Sequence, residues 1–193
     1  MTHGAFTVVE FRERVQRIQK VMAERGLDAL LVTRPQNVYY LTGFRSMGAG
    51  LAAGMGHIHA ALVPASGTPT LFIRALETRT AAKYCWTEVE PYRDYEDAYA
   101  AIARRLPSGA RRLGIEYVEI AALQLERLRR ACPAVETPDV SGLVEPFRRV
   151  KRYAAGQFGS GGPDFLGQKP THAAGDAGNA DAVRHDVPLH AVA

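Results

Sequence analysis

Hydrophobic periodicity organises this chain from Val9 to about Tyr153 and then stops inside one stretch, "FRRVKRYAAGQFGSGG" at 147–162. That break decides how much of the chain can share a core. Before it, nearly every residue fits a helix, a strand or a turn. After it, "AAGQFGSGGPDFLGQKPTHAAGDAGNADAVRHDVPLHAVA" consists mainly of Gly, Ala, Pro, Asp and His, with a few scattered large apolar side chains. Such a segment cannot bury enough surface to offset the entropy of ordering it. The expectation is a flexible start at 1–7, one folded domain over 8–151 and a disordered tail over 152–193. About 150 residues are enough to bury a real core.

The order of elements sets the fold class. Phe11, Val15, Ile18 and Met22 are spaced 4, 3 and 4, one face of an amphipathic helix that Gly26 is placed to end. "LDALLVT" reads as a short buried strand, and Pro35 opens a turn or short helix, "PQNVYYLTGF". "HIHAALVPASGTPTLFI" is a β-hairpin, two apolar strands around a Pro/Ser/Gly turn. Helices and strands then alternate: "ALETRTAAKYC" helical, "TEVEPY" extended, and a helix capped by Asp94 carrying Tyr95, Tyr99, Ile102 and Leu106. "RRLGIE" follows as a strand, "EIAALQLERLRRAC" as a helix with Ala121, Leu125, Leu128 and Cys132 on one face, then "AVETPD" and a final short helix in "SGLVEPFRRVK". This order predicts an α/β fold, a single domain with a mixed β-sheet flanked by helices.

Charge and composition narrow the function classes. The net charge is +4, distributed as +6 up to Tyr153 (22 basic, 16 acidic) and −2 beyond it (2 basic, 4 acidic). Twenty of the 24 basic residues are Arg, mixed with Glu on the polar faces of helices. The pattern of a solvated surface is favoured over a nucleic-acid footprint. No apolar run approaches the ~20 residues that a membrane helix needs. The start shows no secretory pattern, and Cys85 and Cys132 lack CxxC spacing, so they are expected buried and reduced. The expected location is the cytoplasm, with no nucleic acid and no membrane as partner.

Few stretches carry candidate chemistry. "GAGLAAGMG" places Gly48, Gly50 and Gly54 as G-x-G-x-x-x-G, but the strand that follows leaves no room for a dinucleotide-binding helix, so it reads as a loop. His57 and His59, two apart, would point to one side of a strand. That pair is either part of a metal site, a polar strand face or an edge of a substrate pocket; no Cys, Asp or Glu close in sequence completes a metal set. Tyr39, Tyr40 and Phe44, followed by Arg45, either pack in the core or recognise a carboxylate or planar group. No nucleophile elbow, phosphate loop or His-Glu-x-x-His pattern occurs.

"RIQKVMAERGLDALLVTRPQNVYYLTGF" resembles the opening of the creatinase/prolidase family, the pita-bread metallohydrolases that include aminopeptidase P. The family's Pro-x-Asn-x-x-Tyr-Leu-Thr-Gly-Phe turn is matched by Pro35, Asn37, Tyr40, Leu41, Thr42, Gly43 and Phe44. "YRDYEDAYAAIARRL", "RLGIEY" and "VSGLVEPFRRVK" match in the right order. The last resembles the Arg-x-Ile/Val-Lys junction, at Arg148, Val150 and Lys151, where the family's second domain begins.

The resemblance implies a creatinase N-terminal-like, ribonuclease H-like domain that shapes dimers or tetramers and lines a neighbour's pocket. Phe44, Arg45, His57 and His59 are the candidate substrate contacts by position. Catalysis in the family belongs to the second domain, where two Asp, one His and two Glu bind a divalent metal pair that activates water. A Mn, Co or Zn pair is thus expected for a full-length peptidase relative and no cofactor for this chain. After Lys151 the family pattern stops; a shifted reading frame is the simplest account of the tail. The implied function is the assembly and pocket-shaping domain of a truncated Xaa-Pro aminopeptidase or creatinase-type hydrolase, inactive alone. It would self-associate or pair with a full-length family member. The alternative is a stand-alone binding or oligomerisation module of the same fold.

Overall fold

The computed structural model describes residues 2–3, 6–46, 48 and 57–148. The tail at 152–193, and most of the Gly-rich stretch at 49–56, lie outside the described residues.

Two short strands, β1 (Thr2–His3) and β2 (Phe6–Thr7), pair antiparallel ahead of helix α1 (Val8–Glu24). The segment expected to be flexible therefore contributes a packed residue. The Arg14 guanidinium lies 3.9 Å from the Phe6 ring centroid, and Phe6 meets Phe11 edge-on at 5.9 Å. Thr7 caps α1, its hydroxyl accepting from the Glu10 amide at 3.2 Å. Phe11, Val15, Ile18 and Met22 form the buried face that their spacing predicts. Gly26, at φ 62°, lets the chain leave the helix in a left-handed turn.

A five-stranded sheet follows, built from β3 (Ala29–Val32), β4 (Ala60–Pro64), β5 (Thr70–Arg74), β6 (Glu88–Tyr92) and β7 (Leu113–Ile115). The spatial order is β6-β5-β4-β3-β7. Only β4 runs against its neighbours; β3 with β7 and β5 with β6 are parallel. The helices are α2 (Pro35–Thr42), α3 (Thr78–Tyr84), α4 (Ala98–Arg105), α5 (Ala122–Ala131) and α6 (Glu145–Arg148).

The central strands read as continuous apolar runs because both sheet faces are covered. Leu30, Val32, Ala61, Val63, Leu71 and Ile73 enter one core with residues of α1 and α2. Ala29, Leu31, Ala60, Leu62, Phe72, Leu113 and Ile115 enter the other, with Tyr99 and Ile102 of α4 and Leu128 of α5. Alternate residues of one strand thus serve opposite cores, as the pleat requires. The architecture is the expected α/β domain with a mixed sheet.

One helix begins later than its sequence suggests. Asp97, not Asp94, caps α4, accepting from the amides of Tyr99 at 2.9 Å and Ala100 at 3.2 Å. Asp94 is taken instead by Arg74, whose Nε lies 2.8 Å from Oδ1. A bidentate pair with a guanidinium offers more than one exposed cap. Tyr95, expected on the helix, is left 79% exposed.

Candidate functional site

The strand directions bring the polar residues of interest to one end of the sheet. The carboxyl ends of β3, β5, β6 and β7 and the start of β4 all lie there. In open α/β sheets this is the end where ligands bind. Two polar clusters form on it.

The first gathers around the start of β4. His57 and His59 precede the strand rather than sit in it, and each faces its own carboxylate. His57 Nε2 is 3.9 Å from Asp94 Oδ1, and His59 Nε2 is 3.1 Å from Glu77 Oε2. The backbone here is held firmly: the Tyr92 hydroxyl accepts from the Ile58 amide and donates to its carbonyl, and Gln124 Nε2 donates to the His57 carbonyl at 2.6 Å. Burial pushes the Tyr92 hydroxyl up to about 12, so it stays a neutral donor. Ser46 Oγ donates to Glu77 at 2.8 Å, fixing the carboxylate from the other side. His57, Tyr92 and Asp94, with Tyr95, Arg127 and Arg130, border an open cleft of about 650 Å³.

His59 is the least solvated member, its side chain 6% exposed. The imidazole–carboxylate approach is close but off the hydrogen-bond line, and neither ring nitrogen makes a hydrogen bond. Burial lowers its pKa below 6.5; Glu77 opposes the shift, and Arg74 and His57 reinforce it. The unfolded chain therefore takes up the proton first as pH falls through 6.5, so stability is lost below that value. Replacing His59 by Gln is expected to shrink the drop in melting temperature between pH ~7.5 and pH ~5.5. An equal drop in both proteins would contradict this.

The second cluster centres on Glu116, just past the end of β7 and 1% exposed. Its Oε2 accepts from the amides of Thr33 at 3.0 Å and Arg34 at 3.1 Å, beyond the end of β3. Its Oε1 accepts from Asn37 Nδ2 at 2.5 Å. Burial raises the Glu116 pKa, against the pull of these donors. Asn37 reaches further: Nδ2 also lies 3.2 Å from Glu145 Oε1, and its Oδ1 accepts from Arg148 Nε at 3.1 Å. Arg34 pairs with Glu119 at 2.9 Å and Glu145 at 2.5 Å. Burial pushes the Glu145 pKa up, but the hydrogen bonds from Arg34 and Asn37 outweigh it and hold the carboxyl low.

The four sequence candidates thus separate. His57 and His59 enter the first cluster. Arg45 is exposed beside it in sequence, one residue before Ser46. Phe44 is 2% exposed in the core shared by α1 and α2, so its side chain packs. Of the aromatic neighbours, Tyr40 is buried and its hydroxyl donates to the Phe147 carbonyl at 3.0 Å. Glu77, Glu116 and Asn37 were not singled out for chemistry by sequence. "RRLGIE" reads as a strand ending in a charge, and only pairing β7 with β3 turns that charge inward. Among the described residues no three His, Cys, Asp or Glu side chains converge as a metal site. Cys85 and Cys132 are free and buried, and no helix among the described residues is long and apolar enough to cross a membrane.

Comparison with known proteins places this geometry. Residues 14–150 match the model of the Creatinase/Prolidase N-terminal domain. Ectoine hydrolase of Halomonas elongata is 27% identical over 95 residues, 49% of this chain and 22% of that protein. Xaa-Pro dipeptidase of Pyrococcus horikoshii is 24% identical over 139 residues, 72% of this chain and 35% of that protein. The chain thus spans about a fifth to a third of these curated relatives. A proline dipeptidase structure from Streptococcus pneumoniae superimposes with a TM-score of 0.62 at 25% identity, covering 71% of this chain and 98% of that one. With the mixed sheet, helix α2 closed by Gly43 and the short helix α6 all lying within the matched residues, the chain belongs to the creatinase/prolidase N-terminal domain family.

Proposed function

We propose that this chain is the assembly and pocket-shaping domain of an Xaa-Pro aminopeptidase or creatinase-type hydrolase, with catalysis assigned to a second domain. The observation that carries the reading is a largely buried histidine–carboxylate cluster ringed by exposed apolar side chains at the carboxyl end of the sheet. The two histidines with their carboxylates gather there. Leu76, Tyr95, Val118 and Leu123, four of the six exposed large hydrophobic side chains among the described residues, follow β5, β6 and β7 at the same end. A face that mixes apolar and titratable groups suits contact with protein. Arg45, His57 and His59 would be its substrate-side groups, and a divalent metal pair would belong to the second domain. The partner is a second copy or a full-length family member, in the cytoplasm, where free buried thiols such as Cys85 and Cys132 persist. Nucleic acid is not part of the reading.

Purified chain supplied with Mn²⁺ is expected to release no N-terminal residue from an Xaa-Pro peptide, and to sediment as a self-associated species or as a complex with a full-length relative. Metal-dependent cleavage, or a strictly monomeric chain that ignores such a relative, would overturn the proposal.

A second reading is a stand-alone binding module. It is favoured by the two apolar cores that cover both faces of the sheet within this one domain. Retrieval from cells without any hydrolase partner would select it.

A further inference from the structure

We propose that α6 (Glu145–Arg148) is a latch, docked on the domain through Asn37 and releasable without opening the core. A four-residue helix has no stability of its own, and none of its side chains is fully buried. Phe147 lies only at the margin of the core. The attachment is therefore largely polar, and it converges on Asn37, which is fully buried.

The Asn37 amide nitrogen donates to Glu116 at 2.5 Å and Glu145 at 3.2 Å, and its oxygen accepts from Arg148 at 3.1 Å. One planar amide thus reads a fixed anchor on β7's end and both ends of the helix. Two further contacts add to it: Arg34 Nη1 to Glu145 Oε1 at 2.5 Å and the Tyr40 hydroxyl to the Phe147 carbonyl at 3.0 Å. Both come from α2 or the residue that precedes it. The attachment is also incomplete, because the second Glu145 oxygen, Oε2, is buried without a partner.

Elements held by a few part-exposed hydrogen bonds open locally at a small fraction of the global free energy. The sheet, with apolar packing on both faces, opens only with the whole domain. Releasing α6 leaves Glu116 bonded to Thr33 and Arg34, so the anchor itself survives. The inference stands whichever reading of the function holds.

Hydrogen exchange on the full chain tests it. In the native protein the Phe147 and Arg148 amides are expected to exchange by local opening, faster than the amides of β3, β4 and β5. Replacing Glu145 by Ala or Arg148 by Met should accelerate them about tenfold further, and the sheet amides by no more than the same factor, because both openings lose the same contact. Replacing Ile102 by Ala, in the core that Phe147 does not touch, should accelerate the sheet amides while the Phe147 and Arg148 amides keep their rates. The proposal fails if the α6 amides are as protected as the sheet. It also fails if E145A and R148M leave the α6 amides unchanged, or if I102A accelerates helix and sheet amides together.

Discussion

Replacing Glu116 by Leu is expected to destabilise the domain by about 4 kcal/mol. The carboxylate serves three donors at once: the Thr33 and Arg34 amides and the Asn37 side chain. Leucine matches the size of the hole but leaves those donors buried and unpaired, at about 1–3 kcal/mol each before relaxation. A partial offset exists, because the buried carboxyl has a raised pKa and so is itself held at some cost. Glu116→Gln keeps one acceptor and should lose about half as much. Urea denaturation of the three proteins measures the order directly. A loss below about 1 kcal/mol for the Leu variant would mean that water satisfies the donors and the cluster is not a structural hub.

Gly43→Ala should lose about 3 kcal/mol. Gly43 ends α2 at φ 76°, a conformation that side chains other than Gly adopt at a cost. Space is the second constraint: a Cβ there would lie 2.9 Å from the Tyr84 carbonyl oxygen and 3.0 Å from Phe11 Cζ. The backbone oxygen has no rotamer by which to retreat. Gly142 makes the control, since it has φ 83° with nothing within 4 Å of its would-be Cβ. Gly142→Ala should therefore lose about 1 kcal/mol, the conformational part alone. Thermal or urea unfolding of both variants separates the two contributions, and equal losses would rule out the steric one.

Local chemistry made much of this domain legible. The 4, 3, 4 spacing from Phe11 to Met22 specifies a helix face because one turn is 3.6 residues, whatever lies opposite. The Pro/Ser/Gly turn between β4 and β5 specifies a hairpin for the same kind of reason. Gly43 is legible only as part of the family's Pro-x-Asn-x-x-Tyr-Leu-Thr-Gly-Phe pattern, and the left-handed φ of 76° that calls for glycine there belongs to the structure. Capping of α4 was less legible. Asp94 and Asp97 are both good caps by type, and the choice between them was made by Arg74, twenty residues upstream of Asp94.

The sites divide along the same line. His57 and His59 could be noticed as a pair, but their carboxylates come from beyond the ends of β5 and β6. Glu116 looked like a terminal charge on a strand until β7 lay beside β3. Sequence by itself determined the face of α1, the glycine that ends it, the apolar central strands and the hairpin turn, because these depend on neighbours within a few residues. Tertiary structure alone decided which carboxylate faces which imidazole and why Asn37 holds the final helix. Those contacts join residues 18 to 111 positions apart, and electrostatics and burial act through space, where spacing along the chain carries no information.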